Sequence, residues 1–348
     1  VNLTHKERVL RALRYQPVDR LPTQVNYTAS MGRALGAHFG VPAAELPAWL
    51  DNHLLRVDLS SPERFSADGT VRFDWWGAGH DTLEEGYYIR VSPLAASRDL
   101  DAFAWPDPEA PGLLAEAERT IAAYGAEHFI VPNLGFALFE RAWALRGFEQ
   151  FFMDMALDGQ FAGELLDRIT EIQLALIRRF LALGVDGGYF GDDYGAQKGP
   201  LFSPRTWRRL IKPRLARLFR PFRERGLPVL MHSDGQIQQI LPDLMEIGLT
   251  ALNPVQPEVL DHGWLRLNYG GRLAFYGGIS TQTVLPHGTP ADVSAAVAAC
   301  VRELAPDGTG LLMAPSHRMM TDIPLENVEA LIGAMREQSG AARTKPGN

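Results

Sequence analysis

The sequence predicts an α/β protein built as a (β/α)8 barrel of the TIM type, on three observations. Eight short apolar runs punctuate the 348 residues, amphipathic stretches of helix length separate most of them, and the later runs end in polar residues or glycines. Strands that alternate with helices pair in parallel, because a parallel pair needs a long crossover. Eight such units in a chain of this length fit a closed barrel better than an open doubly wound sheet.

The elements follow in order. VNLTHKERVLRALRY opens the chain as a charged segment of helical spacing, with no apolar core and no cleavage site, so a secretory leader is not expected. The first two apolar runs are RLPTQVNY (20–27) and HLLRVDL (53–59). Residues 66–92 then alternate polar and apolar, with Gly and Asp at turn positions, and predict an antiparallel β-hairpin or small sheet inserted after the second strand. Residues 93–112, rich in Pro and Asp, read as an ordered connector. HFIVPN (128–133) and VDGGYFGDD (185–193) are the third and fourth runs. Over 203–226 the residues Trp207, Leu210, Ile211, Leu215 and Leu218 fall on one helical face and leave the arginines on a solvated one. PVLMHSD (228–234), TALNPVQ (250–256), LAFYGGI (273–279) and GLLMAPSH (310–317) complete the eight, with Cys300 on the apolar face of the helix between the last two. A single domain is expected over 1–340, and residues 341–348, which lack apolar anchors, are expected to fray.

Composition excludes several function classes. The net charge of −7, from 34 basic and 41 acidic residues, offers no basic face for nucleic acid. No apolar run nears the roughly 20 residues of a membrane-spanning helix. One cysteine rules out an internal disulfide and any multi-cysteine metal site. Serine-hydrolase elbows, phosphate-binding loops and dinucleotide fingerprints are absent from the sequence. A cytoplasmic protein is the expectation.

In a parallel barrel the active site lies at the C-terminal ends of the strands. There the fourth to eighth runs place Asp192-Asp193-Tyr194, His232-Ser233-Asp234, Asn253-Pro254-Val255-Gln256, Gly277-Gly278 and Ser316-His317. Such groups would be costly in a sealed core. His232 and Asp234, at i and i+2 of a strand end, point the same way, and the barrel brings His317 to the same mouth. Two imidazoles and a carboxylate make a facial triad for one divalent ion with open positions, and zinc, iron, manganese or cobalt could each be accommodated. The metal-free reading makes His317 an acid or base oriented by Asp234. Adjacent on a strand end, Asp192 and Asp193 point to opposite sides, so only one of them faces the mouth. Asp193 is taken as the catalytic candidate, and with Asn26, Tyr194, Gln197, Asn253 and Gln256 as a substrate contact; Gly278 is taken to clear space for a ligand.

HKERVLRALRYQPVDRLP (5–22), SPRTWRRLIKPRLARLF (203–219), PVLMHSDGQIQQILPDLMEIGLTALNPVQ (228–256), LAFYGGIST (273–281) and LLMAPSHRMMTDIPLENV (311–328) together resemble the uroporphyrinogen decarboxylase superfamily. That superfamily also holds zinc-dependent, corrinoid-linked methyltransferases, and its fold is the (β/α)8 barrel. The resemblance implies a zinc site made by a His-x-Cys pair after the fifth strand and a Cys after the eighth. Here Asp234 and His317 stand where the two cysteines would be, and each is itself a metal ligand. Replacing two thiolates by one carboxylate and an imidazole makes the ion harder, suited to polarising a substrate oxygen. In the decarboxylase branch the resemblance implies Asp58 as the pyrrole-binding aspartate and His317 as the matching histidine. The arginine-rich clamp for propionates is missing, since NYTASMGRALGAHFG offers only Arg33.

The leading expectation is a methyltransferase that moves a methyl group between a small substrate and a corrinoid carried by a separate partner protein, within a homodimer. The alternatives are a metal-free decarboxylase of a porphyrinogen or another carboxylated substrate, with Asp58 and His317 catalytic, and a non-catalytic ligand-binding member.

Overall fold

The computed structural model describes residues 2–43, 45–83, 85–86 and 88–341. Most of the expected tail therefore lies outside the described residues. Along the chain, β1 (Leu54–Val57) precedes four short strands, β2 (Arg64–Phe65), β3 (Val71–Phe73), β4 (Gly79–Asp81) and β5 (Ile89–Val91). Then come β6 (Phe129–Gly135), β7 (Gly188–Gly191), the small pair β8 (Gly195–Ala196) and β9 (Gly199–Pro200), β10 (Val229–His232), β11 (Ala251–Asn253), β12 (Ala274–Ile279) and β13 (Leu311–Pro315). Seven strands form one curled parallel sheet in the order β1-β6-β7-β10-β11-β12-β13, consistent with a TIM-like barrel.

The first apolar run forms no full strand. Pro22 has no N–H to give a ladder. The segment still bonds to both edges of the sheet: Gln24 N donates to Met313 O, Met313 N to Pro22 O, and His53 N to Thr23 O. Where a hairpin or small sheet is expected stands a four-stranded antiparallel sheet, β2-β3-β4-β5, in place of a simple hairpin. Two aspartates account for the extra reversals. Asp68 Oδ1 accepts from Thr70 N, and Asp74 Oδ1 accepts from Trp76 N and Ala78 N, so the chain turns twice within the first half of the segment. Asp74 also ties this sheet to the barrel. Its Oδ2 lies 3.1 Å from His80 Nε2 and 2.5 Å from Arg141 Nη1, with all three side chains largely buried.

Strand parity sorts the core. Leu54, Phe129, Val131, Tyr189, Leu230, Ala251, Tyr276 and Leu312 pack together inside, over Val9 and Leu13 of the helix His5–Leu13. Their strand neighbours Ile130, Phe190, Met231, Leu252, Phe275 and Met313 belong to the separate cluster formed with the outer helices. That N-terminal helix begins with a capping box between Thr4 and Glu7, and its buried residues lie one helical turn apart. The interior is thus filled by side chains at one end and opens at the C-terminal strand ends. Among the described residues no helix is long and apolar enough to cross a membrane.

Candidate active site

A cavity of about 400 Å³ lies at the open end. His232, the last residue of β10, lines it, and its ring is oriented from behind. Asn253 Nδ2 donates to Tyr276 O, which fixes the amide; Asn253 Oδ1 then accepts from Tyr189 OH at 3.0 Å and from His232 Nδ1 at 2.7 Å. The proton therefore sits on Nδ1 and the Nε2 lone pair faces the site. Nε2 stands 3.7 Å from Asp234 Oδ1 and 3.7 Å from Asp193 Oδ1. His317 Nε2 is 4.0 Å from Asp234 Oδ2, and the two imidazole centroids are 5.8 Å apart.

One ligand atom from each of His232, Asp234 and His317 falls within 4.8 Å of the other two. A lone pair held against two carboxylates is unfavourable unless a proton or a cation stands between them. The donor set therefore fits a divalent ion of borderline hardness, with His232, Asp234 and His317 as its holders. Asp193 is outside this trio; its Oδ1 accepts Asp234 N at 2.8 Å and so sets the turn that carries Asp234.

Burial governs the protonation of these groups. Desolvation raises the Asp234 carboxyl, with the charge of Asp193 adding to it against the imidazoles. Desolvation also lowers His317, to about 4. Asp192 is raised to about 7, mainly by burial. Its oxygens are spent on structure, accepting from Leu138 N, Phe139 N, Glu140 N and Tyr194 OH. This carboxylate thus caps the helix Phe139–Arg146 from the wall, while Asp193 faces the cavity.

The other expected residues divide. Asn26, Asp58 and Asn253 line the main cavity, and Asp58 Oδ1 accepts from Asn133 Nδ2 at 2.7 Å. Gln256 lines a second cavity of about 270 Å³, together with Asp234 and His317, and its Oε1 accepts from Gly235 N. Tyr194 lines neither cavity: it is buried, with its hydroxyl on Asp192. Exposed in the turn between β8 and β9, Gln197 also lines neither. Gly278 does not clear the mouth. With Gly277 and Gly278 at φ +123° and +94°, strand parity fails there, and a Cβ on Gly278 would lie 2.6 Å from Cys300 Sγ, on the helix side. Three charged residues not singled out from the sequence also line the main cavity, namely Arg56, Glu140 and Arg318. Arg56 on β1 lies two residues before Asp58, which follows the strand end, and its guanidinium lies 4.3 Å from the centre of the Tyr189 ring.

A second trio with the same ligand types, His5, Asp51 and His53, lies at the opposite end, before β1. There Nη1 and Nη2 of Arg20 both donate to the Asp51 carboxylate, and Arg8 Nη1 is 2.9 Å from His53 Nε2. His5 Nδ1 meets His128 Nε2 at 3.0 Å.

Among solved structures, a methyltransferase from Methanosarcina mazei superposes with a TM-score of 0.72 at 21% identity, over 96% of this chain and 99% of that one. A B12-independent methionine synthase from a Shewanella species, in complex with selenomethionine, gives a TM-score of 0.47 at 11% identity, over 90% and 86% of the two chains. A search of curated protein sequences finds no match. The model of the uroporphyrinogen decarboxylase (URO-D) family matches residues 85–338. That span is well over half of the sequence, and the chain belongs to the uroporphyrinogen decarboxylase family.

Proposed function

We propose that this chain is a metal-dependent methyltransferase on a (β/α)8 barrel, which moves a methyl group between a small substrate and a corrinoid carried by a partner protein. The observation that carries the reading is the oriented His232–Asp234–His317 trio on the wall of the main cavity. His232, Asp234 and His317 would hold one divalent ion, zinc or another of similar preference. Bound there, such an ion supplies Lewis acidity toward a substrate oxygen or nitrogen. Asn253 holds the tautomer of His232, Asp193 holds the turn of Asp234, and Asn26 and Asp58 offer polar contacts to the substrate. The reaction belongs to the cytoplasm in this reading, and a homodimer is its expected assembly.

The arrangement of Arg56, Arg318 and Asp58 around the same cavity favours a second reading, decarboxylation of a carboxylated substrate without metal, with His317 as proton donor. Elemental analysis of the purified protein separates the two. About one equivalent of zinc, iron, manganese or cobalt, lost in His232→Ala and in His317→Ala, is the expected result. Methylation of cob(I)alamin by the loaded protein with a panel of O- and N-methyl donors then tests the reaction. No metal after reconstitution with each ion would reject the methyltransferase reading, and carbon dioxide release from a carboxylated substrate would put the second in its place.

A further inference from the structure

The main cavity carries a second organised feature, on the side of β1. Leu54 packs in the barrel interior, so Arg56, two residues further along the strand, faces the same way, and it lines the cavity. An inward strand position that takes a guanidinium calls for a reason other than packing. Arg56 is held on two sides. Its guanidinium lies over the Tyr189 ring, 4.3 Å from the centre. Its Nη2 donates to Tyr276 OH at 3.3 Å, and that hydroxyl directs its own proton to Gln24 Oε1 at 2.8 Å. Gln24, Tyr189 and Tyr276 are all buried, and the Gln24 backbone N donates to Met313 O. Three buried side chains from separate elements thus position one guanidinium in the cavity wall.

Among the described residues, the other charged groups on this wall, besides the two imidazoles, are Arg318, Asp193, Glu140 and Asp58. Arg318 directly follows His317 and acts electrostatically on that ring. Asp193 stands 3.7 Å from His232 Nε2. Glu140 belongs to the helix Phe139–Arg146, whose start is tied to Asp192, the neighbour of Asp193. Asp58 lies beyond the end of β1, exposed, with Oδ1 accepting from Asn133 Nδ2. One side chain links Arg56 to the trio. Tyr189 carries the guanidinium on its ring and donates its hydroxyl to Asn253 Oδ1, the atom that also orients His232. The spacing between this cation and the trio is therefore set by a single buried tyrosine.

We propose that the small substrate carries a carboxylate, which Arg56 binds through its planar fork of N–H donors while the methylated end of the same molecule reaches the His232–Asp234–His317 trio. The methylated end rests on the methyl-transfer reading above; the carboxylate end is tested by binding alone. A cavity of about 400 Å³ is at the small end of ligand pockets, which run to about 1,000 Å³. A guanidinium stabilises the ionised carboxylate equally before and during reaction, so the bound group serves as an anchor that positions the rest of the molecule.

Calorimetry on the full chain tests this with methoxyacetate, 4-methoxybenzoate and N,N-dimethylglycine, each against the primary amide that lacks the carboxylate. At least one acid should bind about tenfold or more tightly than its amide. Arg56→Gln should cost that acid about 10–100-fold, the range of a hydrogen bond to a charged group, and leave the amide within about threefold. Arg56→Lys, a point charge without the fork, should regain part of the loss. Tyr276→Phe removes the acceptor for Arg56 Nη2 and should weaken the acid by about 3–10-fold; it also serves if Arg56→Gln folds poorly. An ion in the trio would itself attract a carboxylate, so each titration is repeated on EDTA-treated protein, where the preference for the acid and its dependence on Arg56 should persist. Equal affinity for each acid and its amide, no binding of any acid, or a preference that vanishes with the metal or survives Arg56→Gln would overturn the proposal. Methylation of cob(I)alamin is then followed with zinc-loaded protein. Acids that bind through Arg56 yet methylate nothing would reject the methyl-transfer reading and leave the carboxylate site standing. Amides that donate methyl as fast as the acids would overturn the carboxylate and leave methyl transfer standing.

Discussion

Two imidazoles and a carboxylate meet at each end of this barrel, and the two meetings have opposite characters. At the closed end, His5, Asp51 and His53 are locked by Arg20 on the carboxylate and Arg8 on the His53 ring, with Thr23 also bonded to that ring. Asp51 is held well below the ordinary carboxylate range; its desolvation is outweighed by hydrogen bonds from His5 and Arg20. At the open end, His232, Asp234 and His317 face further carboxylates, burial raises Asp234, and two cavities border the trio. The residue types are the same; the neighbours decide. A trio with its charge already matched by arginine reads as structure, and the one left with excess negative charge beside a cavity is the one we propose to hold a cation.

The largest effect that could break this contrast is on metal affinity. Asp234→Ala should weaken metal binding by on the order of 100-fold or more, beyond the loss typical of an outer-shell partner, whereas Asp51→Ala should leave the stoichiometry intact. Elemental analysis after dialysis reads both, and metal that follows Asp51 would reverse the assignment.

Stability should run the other way. Asp51→Ala strands the Arg20 guanidinium in a half-buried place and should cost about 3 kcal/mol, in the manner of a broken buried ion pair. Asp234→Asn removes a carboxylate whose ionisation the fold opposes and should stabilise the metal-free protein by about 1 kcal/mol. Urea midpoints of the two variants check the signs, and a destabilised Asp234→Asn would count against the idea that the open end is kept under electrostatic strain.

Acid titration sharpens the contrast at His53, which burial lowers to about 3. The unfolded ring binds a proton near pH 6.5, whereas the folded ring stays neutral until about 3. The stability tied to the neutral ring is therefore full above pH 6.5 and is lost as pH falls toward 3, at up to about 1.4 kcal/mol per pH unit. His53→Gln should make the slope of stability against pH between 6 and 4 shallower by close to one proton. An unchanged slope would show that His53 is not held neutral.

The smallest expected effect is a gain. Arg20→Met removes the cation that matches Asp51, and the closed end should then take up a weak second equivalent of metal that dialysis removes. If it takes up none, the Arg8–His53 contact alone is enough to exclude an ion.

Much of this was legible from parity. In β10 and the residues that follow it, His232 and Asp234 share a face, and the same rule places Asn253 and Asp193 at the cavity while turning Asp192 into the wall. It also places Tyr194 with Asp192, so the hydroxyl bonded to that carboxylate follows from the same count. Arg56, two residues before Asp58, was readable in the same way. Gly278 was not, because two successive positive φ values reverse the facing of the strand end, and sequence alone does not state them. Glu140 was hidden for a different reason. Its place in the cavity depends on a helix start fixed by Asp192, 52 residues further along the chain. The first of the eight expected strands shrank to an isolated bridge at Thr23 beside Pro22, a proline effect that a reading of apolar runs passes over.

The buried link from Asp74 to His80 and Arg141 bears on how this molecule could be shortened or rebuilt. Viewed from outside, the four-stranded sheet over 64–91 looks like an accessory that a designer might trim for a leaner barrel. Its excision would take away Asp74 and leave Arg141 enclosed without its counter-charge, a loss of about 3–5 kcal/mol at one point. The damage would fall in the helix that begins at Phe139 and supplies Glu140 to the cavity. The insertion is therefore a keystone, and any minimal version of this enzyme has to keep it or replace Arg141 in the same stroke.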